Sequence, residues 1–136
     1  VLIDGQARVS CVTPARRVTG REITTLEGLD QETQDSWGTA LCATGGSQCG
    51  FCTPGFLVAS QALLNENPNP SDSEIALAIE GNLCRCTGYQ QIIESIQAAA
   101  AIHRGETEAA SAASDAHPDP NPSGPDEPTM PPGHAR

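Results

Sequence analysis

Aromatic side chains are scarce in this chain: two Phe, one Trp and one Tyr, 3% of 136 residues. A core must therefore rest on Leu, Ile, Val and Ala, with Trp37, Phe51, Phe56 and Tyr89 as its few large pieces. Cations are scarce too, seven against 17 acidic residues, for a net charge of −10. Such a field repels duplex nucleic acid, and no basic stripe offsets it. No apolar run approaches the ~20 residues of a membrane-spanning helix. No secretory leader pattern opens the sequence. These absences point away from nucleic-acid and membrane partners and toward a reducing compartment, with the cytoplasm as the expected location.

What is present is cysteine, six residues of it. Four lie in two tight pairs, Cys49/Cys52 and Cys84/Cys86, separated by 31 residues. Three disulfides are a poor fit: Cys84 and Cys86 do not readily bond to each other, and the compartment disfavours them. A thiol–disulfide enzyme would need only Cys49 and Cys52, leaving the second pair spare. Four soft donors in two short loops suit a metal centre better, and tetrahedral thiolates serve zinc or iron. Spacing alone leaves both open.

The flanking pattern places both pairs at helix starts. Val1 to Val12 reads as a strand, a turn at Asp4-Gly5 and a second strand ending near Cys11. Ile23 to Leu26 reads as a short strand stopped by Glu27-Gly28. Helical spacing runs from Asp35 to Ala43, with Gly45-Gly46 as its stop. Thr53-Pro54 reads as cap and first turn of a second helix. Ser71 to Glu74 is a capping box for a third helix, ended by Gly81-Asn82. Tyr89 to about Arg104 carries the apolar stripe of a fourth. Antiparallel packing of such helices would bring the two cysteine loops to one end of the bundle. There the positive ends of helices and backbone N–H groups would lower thiolate pKa and offset cluster charge. Gly50, Gly55, Gly81 and Gly88 leave the backbone free to approach sulfur.

From Gly105 the composition shifts to Pro, Ala, Ser and acids; most of the chain's 11 prolines lie there. Residues 105–136 read as a disordered acidic tail. Cys42 reads as a buried, inert thiol on the apolar side of its helix. Cys11 is left without a partner. Arg85, between two of the paired cysteines, could compensate a cluster or pair with a partner. Tyr89 could cap a cluster pocket or pack as an ordinary helix residue. Arg16, Arg17 and Arg21 read as a contact surface or as solvated loop charges. His103, His117 and His134 read as solvated.

Two stretches carry a resemblance. Gln48-Cys49-Gly50-Phe51-Cys52-Thr53-Pro54-Gly55 and Gly81-Asn82-Leu83-Cys84-Arg85-Cys86-Thr87-Gly88-Tyr89 closely resemble the signatures of the iron–sulfur subunit of molybdenum hydroxylases. That family includes xanthine dehydrogenases, aldehyde oxidoreductases and carbon monoxide dehydrogenases. The resemblance covers roughly residues 1–103 and implies an α+β fold. Residues 1–29 would be the end of a plant-type ferredoxin-like β-grasp domain. Residues 30–104 would be a four-helix [2Fe-2S]-binding domain, and 105–136 a tail.

It also implies that Cys49, Cys52, Cys84 and Cys86 ligate one [2Fe-2S] cluster and that Cys11 is the last ligand of a second. The other three ligands of that second cluster would precede Val1. The β hairpin would likewise lack its sheet, so an N-terminal part is expected beyond this sequence. Gln48 and Cys86 would face a molybdopterin held by a large partner subunit, with FAD in a medium subunit. The implied role is electron relay, with no residue here acting on substrate. The alternative is a zinc-stabilised interaction module, held by the same four cysteines and without redox function.

Overall fold

Two residues, Asp4 and Gly5, turn the chain on itself at its start, and both have positive φ, 49° and 80°. A two-residue loop of that hand matches the right-handed twist of the strands it joins. In the computed structural model, which describes residues 1–106, it links β1 (Leu2–Ile3) to β2 (Gln6–Ala7) in the antiparallel register Leu2↔Ala7 and Ile3↔Gln6. The second strand stops well short of Cys11, which lies on an exposed 3₁₀ turn over Ser10–Val12. β3 (Ile23–Thr24) pairs with the other edge of β1, giving the order β2-β1-β3. The hairpin expected to lack a sheet therefore has a third strand from its own chain. The pairing extends through Asp4, whose N–H donates to the Glu22 carbonyl at 2.9 Å and whose carboxylate accepts from the Glu22 N–H at 2.9 Å. Arg21 adds an ion pair to the same Asp4.

Four helices follow: α1 (Gln31–Thr44), α2 (Thr53–Glu66), α3 (Asp72–Ile79) and α4 (Gln90–His103). α1 begins earlier than its apolar spacing implied because Asp30 caps it, accepting from the Thr33 N–H at 2.8 Å. Its buried stripe is Trp37 and Ala40, flanked by half-buried Leu41 and Thr44. At about 100° per residue Cys42 falls on the far side of that stripe. Its thiol is exposed, not buried as expected. α3 carries the expected capping box: Ser71 accepts from the Glu74 N–H and Glu74 accepts from the Ser71 N–H at 2.8 Å.

The core gathers Trp37 and Ala40 from α1, Phe56, Leu57 and Leu64 from α2, Ile75 and Ile79 from α3, and Ile92, Ile96, Ala99 and Ala100 from α4. Alanines where α1 meets α4 let the two backbones approach closely. The buried Trp37 indole donates to Gln61 Oε1 at 2.8 Å, so its N–H is satisfied inside the core. A smaller cluster of Leu2, Val58 and Ala62 fastens the sheet to α2. His103 is engaged, not solvated: its Nε2 lies 2.7 Å from Ser36 Oγ and its ring meets Trp37 edge-on. His117, His134 and nearly all of the tail lie outside the described residues. No helix among the described residues is long and apolar enough to cross a membrane.

Two capping carboxylates give the fold a defined acid response. The Thr33 backbone N–H holds Asp30 below its usual value, and the Ser71 hydroxyl does the same for Glu74. Both pKa values are depressed on folding. The stability they contribute is therefore complete above the unfolded carboxylate range near ~4 and is lost as pH falls through the lower folded values. Asp30→Asn combined with Glu74→Gln should flatten the fall of the thermal midpoint between about pH 5 and pH 3. Circular dichroism melts across that range measure it; an unaltered slope would count against these two caps.

Candidate metal centre

The loop after α1 is shaped by glycine. Gly45 takes φ 68° and closes the helix with its N–H on the Leu41 carbonyl. Gly46 then passes hard against α4: a Cβ there would lie 2.0 Å from Ser95 Oγ and 2.9 Å from the Gln91 carbonyl oxygen. From that fixed point the chain reaches Cys49, turns through Gly50 at φ 79°, and enters α2. The helix cap is Cys52, with Thr53 and Pro54 inside the first turn, one residue earlier than the expected threonine cap. The Ser47 and Thr53 hydroxyls, 3.1 Å apart, brace this loop.

The second loop is held to the first. Asn82 packs so closely on Gly55 that a Cβ there would sit 2.6 Å from its side-chain nitrogen. Tyr89, the residue before α4, has φ 74°. A non-glycine residue pays about 1–2 kcal/mol for that region. The conformation directs the phenol back over its own loop. Its Oη accepts from the Cys84 N–H at 3.0 Å and donates to the Asn82 carbonyl at 3.2 Å, while the ring packs edge-on against Phe56. Tyr89 thus serves both readings offered for it, lining the site and packing on the core.

The result is one cavity of about 410 Å³ lined by Cys49, Phe51, Cys52, Leu83, Cys84, Arg85, Cys86 and Tyr89. All four paired cysteines border it. Cys11 and Gln48 do not: Cys11 is on its separate turn, and Gln48 is exposed on the loop beside Cys49. Cys52 and Cys84 are half-buried, Cys49 and Cys86 exposed. Across the loops Cys84 influences the proton affinity of Cys52, and Cys86 that of Cys49. Among the described residues no group of three or more histidine, cysteine, aspartate or glutamate side chains is disposed to hold a metal ion. Two pairs of thiols, with no carboxylate or imidazole among the lining side chains, fit the donor set of a [2Fe-2S] cluster, in which each iron takes two thiolates.

The surroundings sort the thiols by proton affinity. Thr87 donates its hydroxyl to Cys84 Sγ at 3.2 Å and its N–H at 3.5 Å, and the Cys84 pKa falls to about 7. A backbone N–H from Phe51 lowers Cys49. Burial, with the proton shared toward Cys84, raises Cys52 to about 11. Cys86 is raised by its hydrogen bond to Cys49. Thr87 escaped the sequence reading; the signal was a hydroxyl three residues after Cys84 inside a Gly-ended turn. In cluster-free chain, iodoacetamide should label Cys84 first, with a rate that rises through a midpoint near 7. Cys52 should stay slow until pH approaches about 11. Peptide mapping by mass spectrometry across pH reads the order, and equal labelling of the two at neutral pH would refute it.

Comparison with known proteins returns a consistent picture. Residues 25–97 match the family model for a [2Fe-2S] binding domain. A probable xanthine dehydrogenase subunit of Bacillus subtilis is 50% identical over 95 residues, covering 70% of this chain and 55% of that protein. The nicotine 6-hydroxylase small subunit of Paenarthrobacter nicotinovorans is 45% identical over 96 residues, covering 71% and 58%. The chain thus spans little more than half the length of these two curated relatives. Among solved structures, the aldehyde oxidoreductase of Desulfovibrio gigas superposes with a TM-score of 0.72 at 36% identity, over 81% of this chain but 13% of that one.

Proposed function

This chain belongs to the [2Fe-2S]-binding family of small iron–sulfur subunits found in molybdenum hydroxylases of the xanthine dehydrogenase and aldehyde oxidoreductase kind, and on that premise we propose that it is the electron-relaying subunit of such an enzyme. Cys49, Cys52, Cys84 and Cys86 hold a [2Fe-2S] cluster, which when bound supplies one-electron redox chemistry. Gln48 and Cys86 face a molybdopterin in a large partner subunit. Electrons leave toward a second cluster, of which Cys11 is one ligand provided that the others lie upstream in the gene product, and then toward FAD in a medium subunit. The holoenzyme is cytoplasmic. The chain does no chemistry on substrate itself.

One observation carries the reading: two loops far apart in sequence bring four thiols to a single cavity, with no carboxylate or imidazole among its lining side chains. The protein's own groups prepare that cavity. Thr87 and Phe51 donate to sulfur and hold Cys84 and Cys49 toward the thiolate form that a metal needs. Tyr89 ties its own loop through Cys84 and Asn82, and Asn82 packs against Gly55 at the start of α2, so the two cysteine loops are held together.

The relatives support the assignment of a separate partner. The matching region is a small part of one long chain in the aldehyde oxidoreductase and a small subunit in the nicotine 6-hydroxylase. A contact made within one polypeptide in the first must be made between polypeptides in the second. The test is elemental. Purified chain should be brown and carry about two irons and two acid-labile sulfides for the four-thiol site. Zinc with no sulfide would replace this reading with the zinc-stabilised interaction module.

A further inference from the structure

Thr87 is buried, 9% exposed, in the turn that follows Cys84. Its hydroxyl donates to Cys84 Sγ at 3.2 Å, and its N–H donates to the same sulfur at 3.5 Å. Among the described residues it is the one side-chain hydroxyl that donates to a thiol. The oxygen is held in place from behind, because it accepts from the Tyr89 N–H at 3.2 Å. With a lone pair so engaged, the Thr87 proton has the sulfur as its partner. The Tyr89 backbone that supplies this N–H is the strained one, with φ 74°. Tyr89 Oη meanwhile takes the Cys84 N–H at 3.0 Å, so that donor does not serve sulfur. A directed chain results, from the Tyr89 N–H to the Thr87 O–H to Cys84 Sγ. Each bond in such a chain polarises the next, and the low dielectric of a buried site strengthens both.

We propose that Thr87 is the positioning residue that sets the reduction potential of a cluster held by Cys49, Cys52, Cys84 and Cys86, its hydroxyl raising that potential through Cys84. This rests on the reading of the four thiols as [2Fe-2S] ligands. Reduction adds one negative charge, part of which falls on the thiolate sulfurs. A donor fixed on such a sulfur favours the more negative state, so the reduced form gains more than the oxidised one. The hydroxyl is already aimed before any electron arrives, so no donor has to be recruited from solvent. A purely structural Thr87, closing the turn before α4, would leave the potential where it is.

The experiment uses the full chain purified with its iron, and reads the midpoint potential by electron paramagnetic resonance of samples poised with redox mediators. Thr87→Val keeps the shape and removes the hydroxyl. It should lower the midpoint so that the reduced-to-oxidised ratio at a fixed potential falls at least about threefold, roughly 28 mV at 59 mV per tenfold. Thr87→Ser restores an O–H at the same place and should bring the potential back toward the wild-type value. Thr39→Val, at an exposed site on α1, should leave it unchanged. A Thr87→Val chain with full iron content and the wild-type potential overturns the proposal, and so does a raised potential. Where valine disturbs the turn, Thr87→Ala takes its place under the same criterion. Loss of iron from both variants would make the hydroxyl a requirement for assembly and overturn the potential-setting role. A wild-type chain holding zinc without sulfide removes the relay reading and this proposal together. A brown wild type beside an unmoved Thr87→Val potential removes this proposal alone.

Discussion

Serine in place of Cys49, Cys52, Cys84 or Cys86 should strip the helical module of iron, acid-labile sulfide and visible absorbance, each substitution alone sufficing. Loss of groups that merely support a ligand costs roughly 10–100-fold in metal affinity, so loss of a thiolate should cost no less. An alcohol of serine stays protonated at neutral pH and is too hard a donor for a thiolate cluster. The four should differ in kind. Cys52 is the half-buried cap of α2, so Cys52→Ser puts a new polar group beside the core; Cys86 is exposed, and its loss should leave the fold intact. Cys42→Ser is the control: its thiol faces solvent outside the cavity and should change neither iron content nor stability beyond about 0.5 kcal/mol. Iron and sulfide analysis with a urea titration for each variant checks the set. Full cluster content in all four would dismiss the site.

A methyl group at Gly46 should have the largest effect on the fold of any single methyl added to this chain. The added Cβ would lie 2.0 Å from Ser95 Oγ, 2.9 Å from the Gln91 carbonyl oxygen and 3.2 Å from the Leu41 side chain. The serine hydroxyl can rotate away, but the carbonyl belongs to the α4 backbone and cannot. Gly46→Ala should therefore prise the end of α1 from α4 and cost about 2–3 kcal/mol. Because Cys49 follows three residues later, cluster content should fall with it. Gly38 in the middle of α1 gives the opposite sign. It is exposed, with nothing within 4 Å of an added Cβ. Gly38→Ala should stabilise by about 0.5–1 kcal/mol through helix propensity. Urea midpoints of the two variants, one lowered and one raised, are the measurement. A neutral Gly46→Ala would mean that α1 and α4 have room to part.

Much of this was legible from local chemistry. The capping box at Ser71 and Glu74 and the glycine stop at Gly45 are decided within a few residues, and the structure has them as read. The meeting of the two cysteine loops followed from antiparallel packing of helices that each begin beside a pair. What escaped depends on phase or on distance. Starting α1 near Asp35 instead of at Gln31 blurred its apolar stripe, which put Cys42 on the wrong face. β3 was visible as a strand, but nothing local said that it would pair with β1. Thr87 looked like a turn residue because its role is defined by where Cys84 Sγ ends up. Tyr89 carried no sign of its left-handed backbone, which only the closure of the 82–89 loop explains. Ser36 and His103 meet across the packed faces of α1 and α4, beyond the reach of any window of sequence.

The phenol that ties the Cys84 loop is also wedged against Phe56, a side chain only 4% exposed in the central core. Local breathing of that loop must therefore disturb the interior, and the interior resists it. Warming chain purified with a cluster should accordingly bleach it and melt its helices in one event, so that the lifetime of a bound cluster would be an attribute of the whole bundle and not of the two short turns alone.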